Sequence, residues 1–223
     1  MSDRGATSST ARTRTSLPTL RSPLASIHAS AGADVMSDGG AEAVRSYGDP
    51  ERERATVAAG IGLADITVRA KIDVRGDVDR ALSPMPGEVS ARIAGDWTLL
   101  FSPPGSVTER VASMQAAAGT SAMVTDVTHL YAGFALAGPA LPDALARLTS
   151  WDPSTLEAGA ATGAPIADVR AIVMRREATS VPLVEVWVAM EFARYAWRSI
   201  QVVVERLGGE AIGWDALRGL GWH

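Results

Sequence analysis

The chain has 223 residues, 47% of them apolar, and a net charge of −4 from 21 basic and 25 acidic side chains. That supports a substantial core in one large domain or two small ones, and it excludes the basic footprint of a nucleic-acid binder or a membrane-surface protein. The absence of Cys excludes disulfides, thiolate catalysis and Cys-ligated metal, and three His (His28, His129, His223) do not suggest a His-rich metal site.

Residues 1–20, "MSDRGATSSTARTRTSLPTL", are rich in Ser, Thr and Arg. They resemble an organelle transit peptide only superficially and lack the apolar core of a secretion signal. The composition predicts a disordered tail, a fold that begins near Arg21, and a cytoplasmic protein. No apolar run reaches the roughly 18 residues of a membrane span. Lys71 is the single Lys among the basic residues, which reads as GC-rich codon usage.

Ile66, Val68, Ala70, Ile72 and Val74 alternate with Thr67, Arg69, Lys71 and Asp73, the period of a strand with one wet face, ended by Gly76. Gly95 to Phe101 reads as a short buried strand stopped by Pro103, Pro104 and Gly105. A helix is predicted over Val107 to Ala118, then strands over Ala122 to Val127 and Tyr131 to Leu136. Pro139 suits the first turn of a helix whose Leu141, Leu145 and Leu148 share a face, broken by Asp152 and Pro153. Ala171 to Arg175 and Leu183 to Ala189 read as paired strands. Phe192, Ala196, Ser199, Val203 and Leu207 form one stripe of a long helix, with Trp197 and Val204 off it, and Gly208 and Gly209 end it. Strands and helices mix without strict βαβ alternation, which predicts an α+β fold.

One phrase occurs twice. Asp65, Thr67, Gly76, Asp79 and Leu82 line up with Asp126, Thr128, Gly138, Asp143 and Leu145. Each copy predicts a strand, a Gly turn and a helix, and the two units should pack about a pseudo-twofold axis. Asp65 and Asp126 suit turn or cap acceptors.

With "TDVTHLYAGFALAGPALPDALARLTSWDPSTL", the repeat resembles the folate-binding domain of the glycine-cleavage T-protein (aminomethyltransferase) family. "SPLASIHASAGADV", "GIGLADIT" and "GGEAIGWDALRGLGW" resemble further phrases of that family in the same order. The resemblance covers roughly residues 21 to 222 and is nearest to the short gamma subunit of heterotetrameric sarcosine oxidases. It implies one T-protein-like domain over 21–223, made of two interleaved subdomains and lacking the family's C-terminal barrel. It also implies larger flavin- and folate-binding subunits as partners. FAD, FMN, NAD and tetrahydrofolate would belong to those subunits, with none bound by this chain alone.

The resemblance also marks departures. Family methyltransferases carry an Asp in a Gly-rich loop before the strand at Trp97 to Phe101, and here only Asp96 adjoins it. The family's Thr-Gly-Glu, followed four residues on by Glu, aligns with Thr179, Ser180, Val181 and Glu185, so Val181 stands where a pterin-binding Glu is expected. Thr179 and Glu185 remain as weak cofactor-binding candidates, and no residue is assigned a catalytic role. Glu185 shares a strand face with Leu183 and Trp187, where it either pairs with Arg175 or Arg176 or faces a pocket; pairing is favoured. His129 sits in the turn after "TDVT" as a partly exposed structural His.

Two functions are implied. One is the noncatalytic small subunit of a sarcosine-oxidase-like flavoenzyme that demethylates an N-methyl amino acid or related amine. The other is a free-standing tetrahydrofolate-dependent aminomethyltransferase or demethylase. Trp187, Trp197, Trp214 and Trp222 crowd near the end beside Phe192 and Tyr195, and Trp214 and Trp222 are expected to anchor a larger subunit.

Overall fold

A computed structural model describes residues 19–223, apart from positions 84, 106 and 178. The tail expected over 1–20 lies outside the described residues up to position 18. Leu20 already belongs to the fold: strand β1 (Leu20–Arg21) pairs in parallel with Ala41 and Glu42.

Helix α1 (Ala25–Ser30) leads to the hairpin β2 (Asp34–Asp38) and β3 (Ala41–Ser46). Helix α2 (Pro50–Ala59) starts where Asp49 accepts the N–H groups of Glu51 and Arg52, with Pro50 in the first turn. Strands β4 (Gly62–Asp65) and β5 (Ala70–Gly76), helix α3 (Val78–Ala81), strands β6 (Val89–Ala94) and β7 (Trp97–Ser102) and helix α4 (Val107–Ala118) follow. Next come β8 (Ala122–Asp126), β9 (Tyr131–Ala137) and α5 (Leu141–Leu148). The chain closes with β10 (Ala161–Ile166), β11 (Val169–Arg175), β12 (Leu183–Ala189), α6 (Ala193–Arg206), β13 (Glu210–Ala211) and α7 (Trp214–Gly219).

The fold is α+β, in four main layers. Two sheets, β10-β11-β12-β9-β4-β13 and β6-β7-β5-β8, pack face to face. Along β12, Leu183 and Trp187 point between the sheets, while Val184, Val186 and Val188 point outward onto α5 and α6. Along β7, Leu99 and Phe101 point inward and Leu100 points outward toward α3 and α4. Phe101 and Trp187 stack across the inter-sheet layer at 4.2 Å. A third sheet, β1-β3-β2, and α7 close one side of that layer.

The repeated phrase corresponds to two strand-turn-helix units, and they exchange strands. The first unit enters the six-stranded sheet as β4 and leaves in the four-stranded sheet as β5. The second enters the four-stranded sheet as β8 and leaves in the six-stranded sheet as β9. β4 therefore pairs with β9, and β5 with β8, both antiparallel. Gly76 closes β5 and Gly138 follows β9, with φ values of 105° and 136°. A Cβ at either would strike a carbonyl of the other unit, Ser121 or Gly60, which favours Gly at both. Asp79 and Asp143 each sit in the first turn of the helix that follows. Only Leu82 and Leu145 differ in setting, because α3 ends before Leu82.

Two expectations need correction. Ile66 to Val74 is not one strand: the chain turns after Asp65 to cross between sheets, and its polar face is not wet. Thr67, Arg69 and Lys71 are buried, because both faces of β5 are covered. In α6 the buried stripe is Ala193, Ala196, Trp197, Ile200 and Val204, whereas Phe192 precedes the helix and is exposed.

Candidate functional site

The inter-sheet layer concentrates the buried polar groups. Asp65 and Asp126 each end a strand and accept the N–H of the Thr two residues on, Thr67 and Thr128, at 2.9 Å. These turns steer the chain across the layer. Beneath them Lys71 is fully buried, and its ammonium donates to the carbonyls of Thr67, Thr128 and Tyr131 at 2.6, 2.8 and 2.9 Å. Burial without a contacting carboxylate lowers its pKa from 10.5 to about 7, although Asp65 and Asp126 pull the other way.

Asp65 also anchors α1. His28 Nε2 donates to Asp65 Oδ2 at 2.8 Å, and Tyr47 donates its phenol to His28 Nδ1 at 2.8 Å. Burial raises the Tyr47 pKa and keeps the phenol protonated. Burial alone would raise the Asp65 carboxyl as well. Hydrogen bonds from His28, Ser22 and Thr67 and the pull of the imidazole outweigh it and hold Asp65 below the usual carboxylate range. Sequence reasoning missed this relay. The signal for it was the position of His28 and Asp65 inside two of the family-like phrases.

Glu185 is the third centre. It is fully buried and faces Trp187 and the end of the chain. Its Oε1 accepts from Arg176 Nη1 and Trp222 Nε1, each at 2.7 Å, and its Oε2 accepts from Trp187 Nε1 at 3.3 Å. Arg69, buried beside it at 3.7 Å, donates to the carbonyls of Gly87, Phe101, Ser102 and His223. Burial lowers the Arg69 pKa to about 10, opposed by Glu185. The favoured pairing of Glu185 therefore forms with Arg176, while Arg175 donates to the Leu156 carbonyl.

The other candidates lie apart. Thr179 donates to the Val181 carbonyl at 2.8 Å, a local turn that does not reach Glu185. Asp96 is exposed in the turn between β6 and β7. His129 is exposed and lines a cleft of about 490 Å³ with Arg21, Thr128 and Asp126. Trp187, Trp197, Trp214 and Trp222 are all buried, so they are core and not a docking surface. Three of the four indoles find partners inside, Trp214 donating to the Asp65 carbonyl and Trp187 and Trp222 to Glu185, whereas the buried Trp197 N–H has no partner among the described residues. In all three buried centres the ionisable groups are engaged by the chain itself. His28 uses both ring nitrogens, Lys71 its three N–H groups and Glu185 both oxygens. The arrangement is one of internal pairing, and His28 and Asp65 also line a cavity of about 280 Å³ with Ser22, Glu42 and Val68.

No protein-family model matches the sequence, and no curated protein matches it. Solved structures do match. The fold is similar to that of the glycine cleavage system aminomethyltransferase T from Bartonella henselae, with a TM-score of 0.73 and 20% identity over 90% of this chain. This chain covers 61% of that protein's length. It is also similar to a chain of the heterotetrameric sarcosine oxidase from Corynebacterium sp. U-96, solved in complex with pyrrole 2-carboxylate. There the TM-score is 0.59 and the identity 14%, over 71% of this chain and 92% of that one. No described helix is long and apolar enough to cross a membrane. The crossed strand pairs, the four layers and these likenesses together identify the architecture as the aminomethyltransferase T fold, shared with heterotetrameric sarcosine oxidase.

Proposed function

We propose that this chain is a noncatalytic small subunit, of the gamma type, in a heteromeric sarcosine-oxidase-like flavoenzyme. That enzyme would oxidatively demethylate an N-methyl amino acid or related amine in the cytoplasm. The observation that carries the reading is the saturation of Glu185. Trp222, Trp187 and Arg176 of the same chain take up Glu185, the carboxylate that remained as a cofactor-binding candidate, and Val181 stands where the resemblance expects the pterin-binding Glu. The residues present do not fit tetrahydrofolate, and a pterin would have to expel Trp222 from a fully buried seat. On this reading FAD, FMN, NAD and tetrahydrofolate are held by larger flavin- and folate-binding subunits. The match that covers 92% of a chain of a heterotetrameric sarcosine oxidase, and 71% of this one, supports the subunit reading.

A free-standing tetrahydrofolate-dependent aminomethyltransferase or demethylase is the second reading, favoured by the broader match to aminomethyltransferase T. Two measurements separate them. Expression with the neighbouring genes should return the chain bound to flavin-containing subunits. Calorimetric titration of the isolated chain with tetrahydrofolate should show no binding in the micromolar range. Micromolar affinity together with no flavoprotein partner would install the transferase reading.

A further inference from the structure

Helix α6 buries Ala193, Ala196, Trp197, Ile200 and Val204 against the six-stranded sheet. Its outer face carries exposed apolar side chains among the polar ones. Phe192, Tyr195, Ser199 and Val202 follow one another at steps of three, four and three residues, a second seam with the period of a coiled-coil interface. Phe192, Tyr195 and Val202 are 44%, 51% and 46% exposed. Leu130, 58% exposed, stands at the head of the seam: its carbonyl accepts the N–H of Met190, two residues before Phe192.

The flanks are basic. Arg194, Arg198 and Arg206 are exposed, and among the described residues none of them forms a salt bridge. The acids beside them are Glu191 and Glu205, and Glu205 already accepts from Gln201. A basic strip with an apolar centre thus stands on a chain whose net charge is −4.

We propose that this face docks an acidic amphipathic helix of a larger subunit; the inference rests on the subunit reading and adds where and by what chemistry the partner is held. The period of the seam fits the knobs and holes of a second helix. Arg198 and Arg206, and Arg194 beyond its hydrogen bond to Ser26 Oγ at 3.2 Å, call for carboxylates along that helix. Residues 1–18 offer Arg4, Arg12 and Arg14 against one acid, Asp3, so they bring the wrong charge.

The test is expression of the tagged full chain with its neighbouring genes. The wild-type chain should return the flavin-containing subunits. Tyr195→Asp with Val202→Asp should cut their recovery at least tenfold, Arg198→Glu should cut it severalfold, and Met123→Asp, on another exposed surface, should leave it unchanged. The melting temperature of the isolated chain should stay at the wild-type value. Should the aspartates lower it, Tyr195→Ser with Val202→Ser gives the same readout without added charge. Normal recovery with all α6 variants would overturn the inference and leave the subunit reading standing. Failure of the wild-type chain to return any flavoprotein would remove the subunit reading, and this inference with it. A wild-type dimer that the Tyr195 and Val202 variants split would assign the face to a second copy and overturn the proposal.

Discussion

Lys71 and Gly133 occupy equivalent places in the two halves of the chain. The N–H of Lys71 donates to Thr128 Oγ1 and the N–H of Gly133 to Thr67 Oγ1, both at 3.1 Å. Their carbonyls accept from Val127 and Ile66, both at 2.9 Å. The backbone symmetry is matched atom for atom, yet the side chains are opposites. One half supplies a buried ammonium and the other supplies nothing, and Trp187 lies in the space that this leaves. Lys71 Nζ sits 5.5 Å from the centre of that indole ring.

Gly133→Ala is therefore expected to destabilise the fold by about 1–3 kcal/mol, because its Cβ would enter the Trp187 ring. Trp187→Leu is also destabilising by itself, but it should relieve the clash. Urea unfolding of the two single variants and the double variant should give a strongly non-additive cycle. Additive losses would mean that Trp187 does not hold Gly133 small.

The lowered pKa of Lys71 has a sign that can be checked. Between about pH 7 and about pH 10 the unfolded chain carries the proton and the folded chain does not, so this group makes stability rise with pH across that window. Lys71→Met removes the titration and leaves three carbonyls without their donor. The wild-type protein should be the more stable at every pH, and the gap should widen from neutral to alkaline conditions. Parallel urea-midpoint curves for the two proteins would contradict the burial of the ammonium.

His28→Ala leaves a buried carboxylate without its main partner, at an expected cost of about 3–5 kcal/mol at neutral pH. Asp65 is held below its usual range in the folded protein, so its contribution is present at neutral pH and fades as pH falls through the carboxylate range. The deficit of His28→Ala should shrink there, when the orphaned carboxyl takes up a proton. Thermal melts across that range measure it.

Trp222→Phe keeps a ring in the core but removes the indole N–H from Glu185. The expected loss is about 1–3 kcal/mol, the cost of taking a donor from a buried charge. Trp222→Ala should lower the melting temperature of the isolated chain further. That outcome identifies a core residue, where a docking anchor would leave the free chain unchanged.

The turn between β10 and β11 places Ala167 and Asp168 at φ values of 48° and 63°. Ala pays for a left-handed backbone where Gly does not, so Ala167→Gly should stabilise the protein by roughly 1 kcal/mol. An unchanged or lower melting temperature would show that the turn is not strained.

That turn also explains what the sequence hid. β10 was not predicted, because its residues "ATGAPI" contain Gly and Pro and its turn lacks the Asn-Gly or Asp-Gly signal. Pro165 is tolerated because β10 is the outermost strand of its sheet. By contrast, α4 and β12 follow their predicted limits, since an unbroken helical run and an unbroken apolar run leave little choice. The repeat was legible from three matched pairs of polar and small residues whose roles are local: two turn acceptors, two glycines and two helix-start acids. The exchange of strands was not legible, because a pairing pattern leaves no mark on either unit alone. Glu185 with Arg176 was readable from the hairpin; the closure of that carboxylate by Trp222 was not, since it joins residues 37 positions apart.

The strand exchange also sets an order of events at the ribosome. β4 has two neighbours in its sheet, β9 and β13, and both lie later in the chain. Until β9 has emerged, β4 exposes both hydrogen-bonding edges, whereas β5 can already pair with β7 and β8. The first half of the chain cannot complete either of the two larger sheets, so a truncated or stalled product is left as an open, sticky template. Folding must wait for contacts distant in sequence, and it should be correspondingly slow.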